Sequence, residues 1–408
     1  MSAPPCRACD SDRTYPFLDL GSTPLADGLV WEKDLDKSEL VFPLDVMLCE
    51  DCALVQITET VDPEILYGED YPYYSSFSPH LLEHSRKNVE AILESRNLDE
   101  TSLVVEVASN DGYLLKNYQA AGIPVLGIDP APGPVKAAVE SGVPTRCEFF
   151  GAEVAKGLVS EGIRADVIHG NNVLAHVADT NGFVEGLATL LKDDGVIAIE
   201  APYVRDLIEH LEFDTIYHEH LCYFSATSFK NLFRRHGLHL NDVKWLEIHG
   251  GTLRYFAGKT EQPTQALLDL LAEEEAMGLG AREYYETFGA RVENLRTDLR
   301  KLLTSLKEDG RTIAAYGAAA KGATMINYTG LGTDVIDYVV DRNTHKHGRY
   351  MPGQKIPIRP PETLAEEMPD YVLVLAWNFL EEISAQQSDY LAKGGKFIRP
   401  VPTPEIVS

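Results

Sequence analysis

Basic residues are scarce in this chain: 36 Lys and Arg stand against 63 Asp and Glu, a formal net charge of −27 over 408 residues. Such a balance repels phosphate backbones and anionic membrane surfaces at long range, so nucleic acid is not an expected partner. The acidity also suits the solvating surface of a salt-adapted protein. Long apolar runs are missing too. No stretch of about 18 apolar residues could span a bilayer, and the N-terminus has no apolar signal region, so no membrane partner and a cytoplasmic location are expected. Cysteine is sparse, six in all, which excludes a disulfide framework in so long a chain. The dinucleotide turn Gly-x-Gly-x-x-Gly is absent. What is present is an ordinary globular composition, 44% hydrophobic, enough for two or three domains with cores of their own.

Four of the cysteines form two close pairs, Cys6-x-x-Cys9 and Cys49-x-x-Cys52. Two such knuckles close a tetrahedral site of four thiolates, which leaves zinc no open coordination position and therefore predicts a structural metal. Short strands and turns flank them, and metal would stabilise so small a core. Residues 71–78, beginning at Tyr71, are rich in tyrosine and hydroxyl groups and precede a helical stretch over 80–98. They read as a lid over a ligand, or as plain packing of a linker.

Residues 103–200 alternate as a doubly wound α/β unit. A buried strand over 103–107 runs into the small-residue turn Ser109, Asn110, Asp111 and Gly112, and a second strand ends in Asp129. An acid about 20 residues after such a turn is placed for ribose hydroxyls. Glu106 lies within the first strand, an arrangement that suits a positively charged sulfonium donor better than a dinucleotide. Asn171, Asn172 and His176 follow another strand, and ligands in such sheets lie beyond the carboxyl ends of the strands.

Tyr217, His218, Glu219 and His220 then concentrate two imidazoles, a carboxylate and a phenol. If the run is extended, His218 and His220 share one side and Tyr217 and Glu219 the other. A histidine beside a phenol or carboxylate serves as a general base near neutral pH. A hydrogen-bonded structural cluster and a His-x-His metal pair are the alternatives. A long helix over 281–308 carries one apolar stripe, Phe288, Val292, Leu295, Leu299, Leu302 and Leu306, that suits a tie between domains or subunits. The last hundred residues begin again as α/β. A strand ending in Tyr316 meets the turn 317–322, with Ala318, Ala319 and Lys321, at a helix start that can hold phosphate. Asp341 ends the next strand, the basic loop 342–349 brings Lys346 and Arg349, and Asn378 closes a later strand. A basic loop in so acidic a protein points to a phosphate or to a solvated surface.

Together these blocks resemble the S-adenosylmethionine-dependent sugar-nucleotide C-methyltransferases, especially the C-3 enzymes of dTDP-4-keto-deoxysugars. The resemblance implies a zinc-binding module over 1–70, a central class I (Rossmann-like) methyltransferase domain over 71–260, linking helices over 261–310 and a C-terminal Rossmann-like α/β domain over 311–408 that grips the sugar nucleotide. It implies His220 as base, with Tyr217, Glu219, His176 and Tyr71 in the same pocket. The cofactor falls to Glu106, Ser109, Asn110, Asp111, Gly112, Asp129, Asn171 and Asn172. The substrate falls to Tyr316, Ala318, Ala319, Lys321, Asp341, Lys346, Arg349 and Asn378, and structural Zn2+ to the four paired cysteines. The expected partner is a nucleotide-linked keto sugar, bound by a monomer or small homo-oligomer. A binding-only relative and a nicotinamide-dependent sugar-nucleotide oxidoreductase are the competing readings.

Overall fold

The computed structural model describes residues 4–66 and 74–407, and the architecture is α/β built on three main sheets. The N-terminal sheet is antiparallel, in the order Thr14–Pro24, Val41–Cys49, Val55–Ile57, Cys222–Tyr223. Alternation explains the second of these strands, where Leu44, Val46 and Leu48 point into the core. Its outer strand is borrowed from the middle of the chain: Cys222 pairs with Gln56, Tyr223 with Val55, and Ile57 N donates to Leu221 O at 3.0 Å.

The central sheet has seven strands, in the order His239–Leu246, Thr252–Gly258, Leu191–Pro202, Ala165–Asn171, Val104–Val107, Val125–Asp129, Thr145–Cys147. Thr252–Gly258 is antiparallel to both neighbours, while the five strands from Leu191–Pro202 to Thr145–Cys147 are parallel. Val104–Val107 is buried on both faces, as a central parallel strand requires. It lies between Val125–Asp129 and Ala165–Asn171, so the chain reverses its winding there and opens a crevice at the carboxyl ends.

The C-terminal sheet repeats this plan in the order Ile358–Arg359, Val339–Val340, Ile313–Tyr316, Tyr371–Val374, Lys396–Arg399, Glu405–Val407, with Ile313–Tyr316 at the reversal. The strand expected to end at Asp341 shortens to Val339–Val340, because Val335 N and Ile336 N both turn back to Gly332 O.

The apolar-striped helix is Phe288–Glu308, beginning later than expected, after a separate single turn at Arg282–Tyr284. Its fully buried line is Phe288, Val292, Leu295, Leu299 and Leu303, the drift that a period of 3.6 imposes. It joins the first and last parts of the chain, with Phe17 against Phe288 and Tyr328 Oη donating to Glu293 at 3.0 Å. A ribbon of Val30–Trp31 with Arg349–Tyr350 makes a second tie. Among the described residues no helix is long and apolar enough to cross a membrane.

Candidate active site

The two cysteine knuckles share a backbone design. Asp10 N donates to Cys6 O and Ala53 N to Cys49 O, with Asp10 and Ala53 both left-handed at φ 59° and 62°. The four Sγ atoms lie within 4.8 Å of one another, Cys6 to Cys52 and Cys9 to Cys49 at 3.5 Å each. Zinc–sulfur bonds of about 2.3 Å imply tetrahedral edges of about 3.8 Å, so this donor set fits zinc.

At the central reversal, the loop after Val104–Val107 is wound through left-handed residues Ala108, Asn110 and Gly112. Asp129 holds that loop from the next strand: its Oδ2 accepts Asn110 N at 2.8 Å and its Oδ1 accepts Ala131 N at 2.9 Å. Burial raises the Asp129 carboxyl above its usual range and raises Glu106 well above it, with Asp129 and Asp111 adding to the effect on Glu106. Both Glu106 oxygens, Ser109 Oγ, Asp111 Oδ1, both ends of the Asn171 amide and Asn172 Oδ1 are buried without a hydrogen-bond partner among the described residues. Buried polar atoms in folded proteins are normally paired, so this set along one crevice fits a ligand bearing hydroxyl, amino and carboxylate groups. The end of the aromatic run crosses the same loop. Ser75 N donates to Asn110 Oδ1 at 2.9 Å and Ser76 N to Asp111 Oδ2 at 3.3 Å. Tyr71 lies outside the described residues.

Residues 217–220 are not extended. His220 N donates to Tyr217 O at 2.8 Å, and this tight turn replaces the expected alternation. It brings the Tyr217 and His220 rings together at 4.0 Å and sends His218 away, to Pro43 O at 3.1 Å. The two histidines therefore do not form a metal pair, and among the described residues the cysteine set is the one group of three or more potential ligands within metal-binding reach. His220 Nδ1 faces Thr215 O at 2.8 Å and Nε2 faces Tyr217 Oη at 2.9 Å. A carbonyl only accepts, so Nδ1 carries the proton, Nε2 presents its lone pair and Tyr217 donates to it. His176 stands edge-on at 4.7 Å, on the turn Leu174–His176, and burial lowers its pKa to about 4. Tyr223, from the borrowed strand, faces His220 at 6.3 Å with its hydroxyl buried. Glu219 is buried, and burial, with Asp27 nearby, raises its carboxyl well above the usual range against the opposing pull of Lys346.

At the C-terminal reversal, Asp341 accepts Ala318 N at 2.7 Å and Asn343 N at 2.8 Å, while Lys346 Nζ donates to Ala318 O at 2.7 Å. Ala319 precedes the helix Ala320–Thr329, and Tyr316 ends the strand with its hydroxyl buried. Lys321 Nζ donates to Asn378 Oδ1 at 2.8 Å and sits 4.5 Å over the Trp377 ring, beside the acids Asp214 and Glu212. Arg349 stacks on Trp31 at 4.0 Å.

Several residues escaped the sequence reading. Glu200 and Arg254 are direct cross-strand partners joined at 2.6 Å, and His84 Nε2 meets Glu200 Oε2 at 2.9 Å, fastening the helix Pro79–Ser95 to the sheet. Their signal is a strand register that no local pattern carries. Asp27, Asp214 and Trp377 likewise act across long separations.

Known proteins account for this architecture. Residues 6–67 match a domain family described as zinc-binding, 78–243 a methyltransferase domain and 247–402 the C-methyltransferase C-terminal domain. The chain belongs to the S-adenosylmethionine-dependent C-methyltransferases with a zinc-binding N-terminal domain, and carbon methylation is its activity. The C-methyltransferase NovU of Streptomyces niveus is 37% identical over 406 residues, covering 99% of this chain and 96% of that one. A ubiquinone biosynthesis O-methyltransferase of Chelativorans sp. (strain BNC1) is 28% identical over 131 residues, 30% of this chain and 51% of its own. Among solved structures, the magnesium protoporphyrin IX methyltransferase ChlM of Synechocystis PCC 6803 with bound SAM aligns at 14% identity and TM-score 0.34, covering 44% of this chain and 79% of that one. A S-adenosylmethionine-dependent methyltransferase of Clostridium acetobutylicum ATCC 824 aligns at 12% identity and TM-score 0.35, over 44% of this chain and 91% of that one.

Proposed function

We propose that the chain methylates the carbon next to the ketone, at C-3, of a nucleotide-linked 4-keto-deoxysugar, with His220 as the base that forms the enolate. One observation carries the reading: Thr215 O on Nδ1 holds His220 in the tautomer that leaves Nε2, to which Tyr217 Oη donates, as the accepting nitrogen. Carbon becomes nucleophilic only once its proton leaves, and a base of this kind contributes about 10²- to 10⁴-fold. As Nε2 accepts the proton, the Nδ1–H bond to Thr215 O stabilises the imidazolium. A donor aimed at the developing enolate oxygen is worth roughly 3 to 4 kcal/mol, and His176 lines that pocket edge-on to the base. Tyr217 yields Nε2 to the substrate and turns its hydroxyl to the same oxygen, and Glu219 orients the sugar. S-adenosylmethionine supplies the electrophilic methyl group. Glu106, Ser109, Asn110, Asp111, Gly112, Asp129, Asn171 and Asn172 would hold that cofactor. Tyr316, Ala318, Ala319, Lys321, Asp341, Lys346, Arg349 and Asn378 would seat the nucleotide. The four cysteines would hold a structural zinc ion.

The test is mass spectrometry of the protein with S-adenosylmethionine and a panel of 4-keto sugar nucleotides, in ordinary and deuterated water. A product heavier by one methyl, and solvent deuterium entering the substrate without cofactor, are expected for the native chain, and neither for His220→Asn. Undiminished turnover or exchange by His220→Asn overturns the base; cofactor binding with no mass gain by any keto sugar overturns the substrate class.

A further inference from the structure

The carbonyl that fixes the His220 tautomer belongs to a single short turn, Phe213–Thr215, and that turn is held from the C-terminal domain. Three contacts hold it. Trp377 Nε1 donates to Asp214 Oδ2 at 2.7 Å, across 163 residues of sequence. Thr324 Oγ1 donates to Ile216 O at 3.2 Å, so the adjacent carbonyls of Thr215 and Ile216 serve the imidazole and the C-terminal helix respectively. Phe213 packs its ring 5.3 Å from Tyr328 on the same helix.

Asp214 is fully buried, and a buried carboxylate persists only where donors and a cation compensate its lost hydration. Lys321, at the first turn of Ala320–Thr329, provides the cation, and Trp377 supplies the directed hydrogen bond. Trp377 also carries the Lys321 ammonium on its ring face, and Asn378 accepts from that ammonium. All of these groups lie at the carboxyl edge of the strand Tyr371–Val374, beside the C-terminal reversal.

We infer that Trp377 and Thr324 are positioning residues for proton abstraction: through Asp214 and the Ile216 carbonyl they fix the turn whose Thr215 carbonyl holds the His220 imidazole in its base-competent tautomer. The inference rests on His220 being the base. It gives the C-terminal domain a part in the chemical step as well as in seating the substrate. A turn free to rotate would release Nδ1, letting the ring exchange tautomers and present N–H where a lone pair is needed.

Two conservative variants separate this from a stabilising role alone. Trp377→Phe keeps the ring face beneath Lys321 and deletes one N–H, while Thr324→Val keeps the shape and deletes one hydroxyl. With a dTDP-4-keto-deoxysugar as probe, each variant of the full chain is measured for kcat, KM and solvent-deuterium uptake without cofactor, with His220→Asn as reference. Each is expected to lower kcat and the exchange rate together by about tenfold, with KM held within about twofold and S-adenosylmethionine binding unchanged. The double variant should lose less than the product of the single losses, because both act on one turn. Exchange at the native rate in both variants, or a loss confined to KM, overturns the inference. An inert His220→Asn beside fully active Trp377→Phe and Thr324→Val would refute this inference alone, whereas a fully active His220→Asn removes the base and this inference with it.

Discussion

Gly112 is where the loop after Val104–Val107 leaves least room for change. Its φ is +76°, and a Cβ built there would stand 2.8 Å from Val143 Cγ2, 3.0 Å from Val143 Cβ and 3.2 Å from Val143 Cγ1. Val143 is itself fully buried, so it cannot swing aside. For Gly112→Ala, the left-handed backbone costs about 1–2 kcal/mol and the forced contact about 1–3 kcal/mol. The expected loss of stability is therefore about 2–5 kcal/mol, read by urea unfolding, with weakened S-adenosylmethionine binding read by titration calorimetry. The two contributions separate in a double-mutant cycle. Val143→Ala alone loses two buried methyl groups, about 1.5 kcal/mol or more, but it deletes the 2.8 and 3.2 Å contacts and leaves the 3.0 Å one. About 1–2 kcal/mol of the Gly112→Ala loss should be recovered in the Val143→Ala background, the share owed to φ remaining. Additivity within about 0.5 kcal/mol would show that the glycine is not pressed against Val143. A Gly112→Ala chain as stable as the native one would refute the left-handed loop itself.

Acid should destabilise the fold through its buried neutral histidines. Burial holds His169 down to about 3 and His176 to about 4, so the unfolded chain, with its histidines near 6.5, binds the extra protons. Their stability contribution is complete above about pH 6.5 and is lost as pH falls toward the folded values, about 2 kcal/mol for each by pH 5. His169→Gln should flatten urea midpoints measured between pH 7 and pH 5, and an unchanged slope would contradict a buried neutral imidazole. Metal analysis should find one zinc ion per chain, and its removal by a chelator under denaturant should prevent recovery of activity until zinc is restored. Recovery without metal would remove zinc from the fold. Glu274 accepts Tyr203 Oη, Ala226 N, Thr227 N and Thr227 Oγ1 at 2.6 to 2.9 Å, closing the start of the helix Ala226–Arg235. Glu274→Ala should cost about 2–4 kcal/mol in the same unfolding assay, and a loss below about 0.5 kcal/mol would deny it that capping role.

The parts of this fold that were legible in sequence are those whose signal is local. Two Cys-x-x-Cys knuckles, a strand running into Ala108 to Gly112, and the turn before Ala320–Thr329 each carry their chemistry within a dozen residues. What was not legible depends on contacts made only after folding. Cys222–Tyr223 is too short to show periodicity, and its partners lie at Val55 and Gln56. The Tyr217 to His220 run fits an extended pattern as well as a turn, and the hydrogen bond from His220 N to Tyr217 O decides between them. The place of Lys321 at a helix start is local information. The acids Glu212 and Asp214 beside it are more than a hundred residues away in sequence.

These distant contacts converge on one short stretch. On one side the zinc-binding module takes His218 Nε2 onto Pro43 O and pairs Val55 and Gln56 with the two residues that follow Leu221. On the other side Thr324 and Trp377 grip residues 214 and 216. Residues 213–223 thus form a strap pinned at both ends, with the Tyr217 to His220 turn between the pins. Rotation of the imidazole would break its hydrogen bond to Thr215 O, and the residues on either side of Thr215 are held by Trp377 and Thr324. A metal closed by the four cysteines would stiffen the knuckles and, through the sheet that pairs with Cys222–Tyr223, one end of the strap. Chemistry built on a fixed tautomer should then be more sensitive to loss of zinc than cofactor binding is. Partial demetallation that lowers deuterium exchange before it lowers S-adenosylmethionine affinity is the expected order, and the reverse order would mean that the zinc-binding module serves the central domain as a whole.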